Sequence, residues 1–344
     1  MKILHVGNTA NIAYYLSYYL TKNFNVKSDI IQTKNPKNKF AYKMIYGYES
    51  GNPLNQEIKW YSSDYFKRIK DFKIIRDEKY DILHIHTGGS LINTMLCKFS
   101  GKNIIIHYHG SDLRENNYKN KIVKSLNKLI KYDYTFISTP DLAKYINHKN
   151  YMYIPNPLDP NLLNNNTINE DKYIFFPTRH DENTKKTSIA FEAWNILKKH
   201  DDKITLRTIK WGSNWQYLKE MNKNEPRIIW MDPLNRSEYI KTLMNASIIW
   251  GQFKIGIMSL IELETLYINK PLITYINNEL YTDLKDYSNL KAKSIKEISE
   301  ETLKILKDID RYDGRSLNYW VNKHHNSREI SKTIYDIYKK IVEK

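Results

Sequence analysis

The chain alternates short, almost continuously apolar runs with longer segments whose apolar residues recur every three or four positions. KILHV at 2–6 is the first such run, followed by GNTAN and a helical pattern from Ile12 to about Lys22. Ile12, Tyr15, Leu16, Tyr19 and Leu20 share one face of that helix and read as core. VKSDIIQT (26–33), YDILHIHT (80–87), KNIIIHYHGSD (102–112) and KYDYTFIST (131–139) are the next predicted strands. Helices are expected over Asp64–Glu78, from Gly88-Gly89-Ser90 and, briefly, from Pro140, and NYMYIPNPLD (150–159) closes this half. NLLNNNTINED at 161–171 is polar and asparagine-rich and marks a linker. A second series follows with strands at 172–179, 203–210, 226–231, 246–251 and 271–276. Uniformly apolar strands alternating with helices call for parallel sheets covered on both faces, so the fold class is α/β with two Rossmann-like, doubly wound halves. Their boundaries are 1–160 and 172–312, with closing helices over 313–344. The last of these carries an apolar stripe of Ile330, Ile334, Ile337, Tyr338 and Ile341 that needs a partner surface.

The second half is organised around GQFKIGIMSLIELETLYINKPLITY at 251–275: a loop with two glycines, a helix from Ser259 to about Ile268, a break at Lys270-Pro271 and a strand. A glycine turn ahead of a helix leaves backbone N–H groups unpaired at the positive end of the helix dipole, which suits a phosphate. Glu264 lies about one and a half turns into the helix, within reach of ribose hydroxyls of a ligand whose phosphates sit on the turn. The same stretch could equally be an ordinary loop–helix–strand unit with a surface glutamate.

Composition narrows the class. Hydrophobic residues at 41% and aromatics at 13%, with 28 tyrosines, describe a folded chain. No apolar run reaches a membrane span, Met1-Lys2 leads directly into a strand without a signal-peptide pattern, and the single cysteine, Cys97, excludes an internal disulfide. A cytoplasmic setting is expected. The net charge of +16 predicts polyanionic or phosphorylated partners. The basic, aromatic segment KNPKNKFAYKMIYGY at 34–48 is either a solvated loop or a lip touching an anionic membrane face. The basic residues are spread along the chain with no nucleic-acid reader motif, so nucleic acid is not expected as a partner.

Two sets of residues could carry chemistry. His84/His86 and His107/His109 each lie on one face of a strand; with only Asp112 close in sequence, a catalytic metal site is not expected, and at least two of the four should pack against helices. His109 differs in standing at the carboxyl end of its strand, ahead of Gly110-Ser111-Asp112, where doubly wound sheets place ligand contacts. The second set is PTRHDENTKKTS at 177–188, where Arg179 ends a strand and Lys185 and Lys186 precede a helix. Arg and Lys converging beside a helix start would neutralise a diphosphate, although either could be an exposed surface cation.

In their order and spacing these pieces resemble the retaining GT-B glycosyltransferases of family 4. YDILHIH and IIIHYHGSDLR are similar to the family's D-x-x-H-x-H and H-G-x-D segments, and YIPNPLD to its P-N-x-x-D. The PTR ending at Arg179 with Lys185 resembles its G-R…K-G, and ELETLYINKPLI its E-A-M-A-x-G-x-P-V-I. The tail from Tyr319 resembles its closing helices, the last of which crosses back onto the first domain. The resemblance implies a nucleotide-diphosphate sugar bound between the domains, mostly on the second. Arg179 and Lys185 would meet the leaving diphosphate, Glu264 the ribose, and the amides of Gly256, Ile257, Met258, Ser259 and Leu260 the phosphates. Trp230, Met231 and Asp232 would hold the base, Gly7 would join the nucleotide and phosphate contacts, His109 would lie near the sugar, and Asn8, Thr9 and Asp112 would complete the acceptor and sugar side. Transfer would proceed with retention to a lipid-linked or glycan acceptor, without a protein-bound metal.

Three departures from the pattern stand out. Gly256 occupies the place of a glutamate eight positions before Glu264, Lys186 that of the glycine after the lysine, and the first loop has only Gly7. Glu262 is two residues from Glu264 and faces elsewhere on a helix. A nucleotide-sugar epimerase of the same fold and a degenerate nucleotide- or polyanion-binding protein are the alternative readings.

Overall fold

In a computed structural model of the chain, residues 1–33, 58–61, 79–86, 101–114, 132–158 and 172–344 are described. The basic lip at 34–48, the helices expected over 64–78 and from 88, and the linker at 161–171 lie outside these residues.

The chain divides into two compact units, the first including residues 1–33, 79–86, 101–114, 132–158 and 325–344, the second 172–324. The first unit is built on β1 (Lys2–Val6), α1 (Ile12–Phe24), β2 (Lys27–Thr33), β3 (Ile58–Tyr61), β4 (Ile82–His86), β5 (Asn103–Tyr108), α2 (Ser111–Arg114), β6 (Tyr134–Ile137) and β7 (Tyr151–Tyr153). The strands form one sheet in the order β3-β2-β1-β4-β5-β6-β7, every pairing parallel. Both faces of its centre are sealed: Ile3, Leu4, Ile82, Leu83, Ile105 and Phe136 are essentially inaccessible. Each such side chain contributes about 1.5–3 kcal/mol by leaving water.

The strand expected over 102–112 stops at Tyr108. Beyond it the Asp112 carboxylate accepts from the backbone N–H of His109, Gly110 and Leu113, which turns the chain into α2 before a ladder can continue. The Arg114 guanidinium then binds Asp141 through two hydrogen bonds of 2.7 and 2.9 Å, pinning α2 to the turn after β6.

The second unit comprises β8 (Tyr173–Phe176), α3 (Ser188–Leu197), β9 (Thr205–Ile209), α4 (Trp215–Met221), β10 (Ile228–Met231), α5 (Arg236–Asn245), β11 (Ile248–Trp250), α6 (Leu260–Tyr267), β12 (Leu272–Ile273), α7 (Ile295–Lys307) and α8 (Arg315–His324). Its sheet runs β10-β9-β8-β11-β12, again parallel throughout. The core is aromatic, with Phe176, Phe191, Trp194, Trp250 and Phe253 packed among Ile and Leu. Helix starts follow local capping chemistry: Asn235 with Glu238, Ser259 with Glu262 and Ser294 with Glu297 form reciprocal capping boxes at α5, α6 and α7.

Two residues after α8 the chain enters α9 (Ser327–Val342), which belongs to the first unit. The stripe Ile330, Ile334, Ile337, Tyr338 and Ile341 is buried. Tyr335 stacks on Phe24 of α1 with ring centroids 4.6 Å apart, and the Asn23 amide donates to Ser331 Oγ. His325 Nδ1 pairs with the Asn156 carbonyl oxygen, and the Leu158 N–H donates to Ser327 Oγ, fastening the start of α9.

Candidate functional site

In a doubly wound sheet, ligands bind beyond the carboxyl ends of the strands where the strand order reverses. In the second unit that point lies between β8 and β11, neighbours in the sheet although two strands separate them in sequence. The loops leaving them are 177–187 and 251–259, the two segments that sequence alone picks out. They are joined directly: the Phe253 N–H donates to the Lys185 carbonyl oxygen at 3.0 Å.

Asp181 organises the first loop. Its carbonyl oxygen accepts from the N–H groups of Lys185 and Lys186, and its carboxylate from Thr184 N–H and from Arg179 at 3.2 Å. The Arg179 side chain retains 37% of its accessibility, so it is steered without being consumed. Glu182 caps the entry to α3 by accepting from both the N–H and the hydroxyl of Ser188.

In the second loop Gln252 acts as a brace. Its Oε1 accepts from Lys254 and Ile255 N–H and its amide donates to the Tyr275 carbonyl oxygen at 2.6 Å. Of the five amides proposed for phosphate, two already have partners: Met258 N–H donates to the Tyr281 hydroxyl, and Ser259 N–H to the Glu262 carboxylate of the capping box. Those of Gly256, Ile257 and Leu260 donate to no group among the described residues. A pocket of about 500 Å³ opens beside these loops, lined by Glu182, Asn183, Lys186, Phe253, Lys254, Tyr275 and Lys293. Lys186, not Lys185, forms its wall, and Lys254 and Lys293 are cations that sequence reasoning missed; only their closeness in the fold reveals them.

Glu264 occupies a different environment from the one its helical position suggests. It is 1% exposed, and its two carboxylate oxygens receive the Arg236 guanidinium at 2.6 and 3.2 Å. Tyr239 lies alongside, its hydroxyl held well above the usual phenol range by burial and by the Glu264 charge. A ribose hydroxyl would therefore share Glu264 with Arg236. Trp230 is stacked on Phe191 with centroids 5.4 Å apart, the Met231 carbonyl oxygen accepts from Lys210 N–H, and the exposed Asp232 carboxylate takes the Lys210 ammonium at 2.9 Å.

The remaining predicted residues fall on the first unit. Gly7 follows β1 with φ +87°, and an added Cβ would lie 2.7 Å from the His86 carbonyl oxygen, so glycine is required there. Asn8 accepts from Tyr14 N–H through its side chain, and Thr9 begins a 3₁₀ turn leading into α1. Asp112 spends its carboxylate on backbone amides, as described above, and its pKa is raised by burial. His109 sits in a group of five contacting histidines. His5, invisible to a reading that looked for paired histidines, is the fifth. Of the four histidines expected to include at least two packed against helices, His84 meets one, through the Tyr338 hydroxyl of α9, while His86, His107 and His109 contact one another, His5, Ser138 and Phe136.

Residues 2–139 match the family model described as Glycosyl transferase 4-like. Sucrose-phosphate synthase of Thermosynechococcus elongatus superposes with a TM-score of 0.70 at 13% identity, over 99% of both chains. HepE of Anabaena, solved in complex with UDP, gives 0.70 at 9% identity over 99% of this chain and 100% of that one. The chain has a GT-B fold. UDP-GlcNAc 2-epimerase of Neisseria meningitidis, solved with UDP-GlcNAc, shares it with a TM-score of 0.67 at 12% identity, over 99% and 100% of the two chains. No curated protein sequence matches this GT-B chain significantly.

Against the family pattern, the departures in this GT-B chain have physical readings. Lys186, in place of glycine, adopts φ +52°, and Asn269, in place of the glycine before Lys270-Pro271, adopts φ +60°. The left-handed turns are kept without the residue that makes them easy. Gly256 is the reverse case. Its φ is +74°, and a Cβ there would lie 2.8 Å from Asn277 N and 2.9 Å from Asn277 Cβ, so a glutamate does not fit.

Proposed function

We propose that the chain is a glycosyltransferase that takes a sugar from a nucleotide-diphosphate sugar, with the diphosphate held by the second unit at the β8–β11 switch point. The observation that carries this reading is the hydrogen bond from Phe253 N–H to the Lys185 carbonyl, which holds the Arg179–Lys185 loop against the glycine loop that opens α6. Cations on one loop and unpaired amides on the other would stabilise the negative charge that develops on the departing diphosphate, fixed in advance of the reaction. Glu264 would contribute to the ribose end while paired with Arg236. Retention, a lipid-linked or glycan acceptor and contact with an anionic membrane face complete the proposal. The cations and dipoles carry the diphosphate charge without a metal on it. No helix among the described residues is long and apolar enough to cross a membrane.

Because the neighbours solved with UDP and with UDP-GlcNAc share the fold, uridine is the first base to try. Thermal unfolding with UDP, GDP, ADP or CMP, with and without EDTA, tests the site. A ligand at a hundred times its Kd adds about 2.7 kcal/mol to stability. One nucleoside diphosphate should shift the transition, EDTA should leave the shift intact, and Arg179→Ala should remove it. No shift with any of the four sinks the reading. The epimerase alternative rests on neighbours of that class with comparable superposition; incubation with UDP-GlcNAc and no acceptor separates the two, since only an epimerase then yields a new sugar.

A further inference from the structure

His5 on β1, His84 and His86 on β4, His107 on β5 and His109 just beyond it share one face of the first unit's sheet. Parallel register sets His5 beside His84 and His86 beside His107. The rings are in mutual contact, with centroids 4.2 Å apart for His84–His86 and 4.3 Å for His107–His109. His5 Nδ1 is 2.9 Å from His86 Nε2, and His86 Nδ1 is 3.0 Å from His109 Nε2. His109 Nδ1 and His107 Nε2 both meet Ser138 Oγ, at 2.7 and 3.0 Å.

A neutral imidazole has one donor and one acceptor nitrogen. Directed as a one-way relay, the run His5–His86–His109–Ser138–His107 leaves a buried N–H without an acceptor, at His107 Nδ1 or at His5 Nε2; with His107 and His109 both donating to Ser138 Oγ, the same two nitrogens are left as lone pairs without a donor. Neither atom has a partner among the described residues. Hydrogen bonding alone does not close this group.

We propose that His86, His107 and His109 bind a divalent transition-metal ion of the zinc class, with Ser138 and His5 holding the outer nitrogens of the three ligands. Each of the three offers a ring nitrogen within 4.8 Å of those of the others. A tetrahedral site with metal–nitrogen bonds of about 2.0–2.1 Å has edges of about 3.3 Å, so the 3.0 Å between His86 Nδ1 and His109 Nε2 needs little change to become one. His107 Nδ1, otherwise orphaned, supplies the third ligand. The opposite nitrogens then find acceptors, His86 Nε2 in His5 Nδ1, and His107 Nε2 and His109 Nδ1 in the two lone pairs of Ser138, so that the ion relieves His107 Nδ1 while the proton of His5 stays on its unpaired Nε2; such outer contacts fix the tautomers of metal-bound histidines. An all-imidazole set selects Zn²⁺, Co²⁺, Ni²⁺ or Cu²⁺ over Mg²⁺ or Ca²⁺, and Asp112 is already committed to backbone amides. His109 is only partly buried, at the carboxyl end of the strand, which leaves an entry path and an open fourth position. The site is independent of the diphosphate proposal.

The test uses the full chain without an affinity tag, stripped by chelator dialysis, then titrated with Zn²⁺ by calorimetry and with Co²⁺ by visible absorption. One equivalent should bind, with the absorption of tetrahedral cobalt. His107→Gln and His109→Gln should weaken binding by at least about a hundredfold, while His84→Gln should leave it unchanged. Absence of stoichiometric binding by the wild-type chain overturns the proposal. So does loss in His84→Gln with retention in His107→Gln, which would move the ion to His5, His84 and His86. If the buried variants do not fold, X-ray absorption of the zinc-loaded wild type decides: three imidazoles are expected, and fewer refute the site.

Discussion

At the carboxyl ends of β8 and β11 the second unit carries charges on short, braced loops: Arg179 half in solvent, Lys185 tied by its carbonyl, Lys186 and Lys254 on a pocket wall. Toward the corresponding ends of β1, β4 and β5 the first unit carries imidazoles in mutual contact, buried at His5, His84, His86 and His107 and partly buried at His109. Loop cations can be removed without opening the core, so ligand binding and stability should separate in the second unit. The histidines are both core and chemistry, so in the first unit the two should move together.

The largest effect that would sharpen this contrast is acid unfolding of the metal-free chain. Burial holds His5 and His109 at about 3 and His84, His86 and His107 well below the usual value, whereas the unfolded chain takes up protons near 6.5. Between those values the unfolded state binds more protons, so stability is intact above about 6.5 and falls as pH drops, by up to about 1.4 kcal/mol per histidine per pH unit. In the second unit His180 alone, lowered to about 4, is comparably buried among the described histidines. Amide exchange followed down in pH should show β1, β4 and β5 losing protection before β8 and β11; simultaneous loss would break the comparison.

Next in size is Glu264→Ala, which strands the Arg236 guanidinium in the core and should cost about 3–5 kcal/mol in chemical denaturation. An unchanged midpoint would mean that Glu264 serves a ligand and not the fold. Arg179→Ala and Lys185→Ala should each lower sugar transfer by about 10²–10³ with the melting temperature almost unmoved; turnover at the wild-type rate in either variant removes them from the site. The smallest change is Lys186→Gly. Relief of a left-handed φ at a non-glycine residue should raise stability by about 0.5–1 kcal/mol in thermal unfolding.

Much of the architecture was legible because the strands are buried on both faces and therefore uniformly apolar, and β1, β8 and β11 stand out at once. Helix starts were readable where serine or asparagine precedes glutamate by three residues, as at Ser259 and Glu262. What escaped was set by long-range pairing. Arg236 looks like a surface residue at a helix start, and only the packing of α5 against α6 places it on Glu264. His5 passes for one polar residue in an apolar strand. The signal was in the parity: His5, His84, His86, His107 and His109 fall on matching faces of three strands that a doubly wound order places side by side. The end of β5 was misjudged because the Asp112 carboxylate takes the amides that a longer strand would have used.

The return of the final helix to the first unit has a consequence for synthesis. Tyr338 caps His84, Tyr335 covers Phe24, and Ser327 fastens Leu158, yet all three leave the ribosome after every residue of the second unit. The half encoded first is thus the half completed last. Until residues 325–344 emerge, one side of α1 and the histidine layer beneath Tyr338 lack their cover, and the nascent chain must carry an unfinished first unit while the second is able to close around β8 and β11.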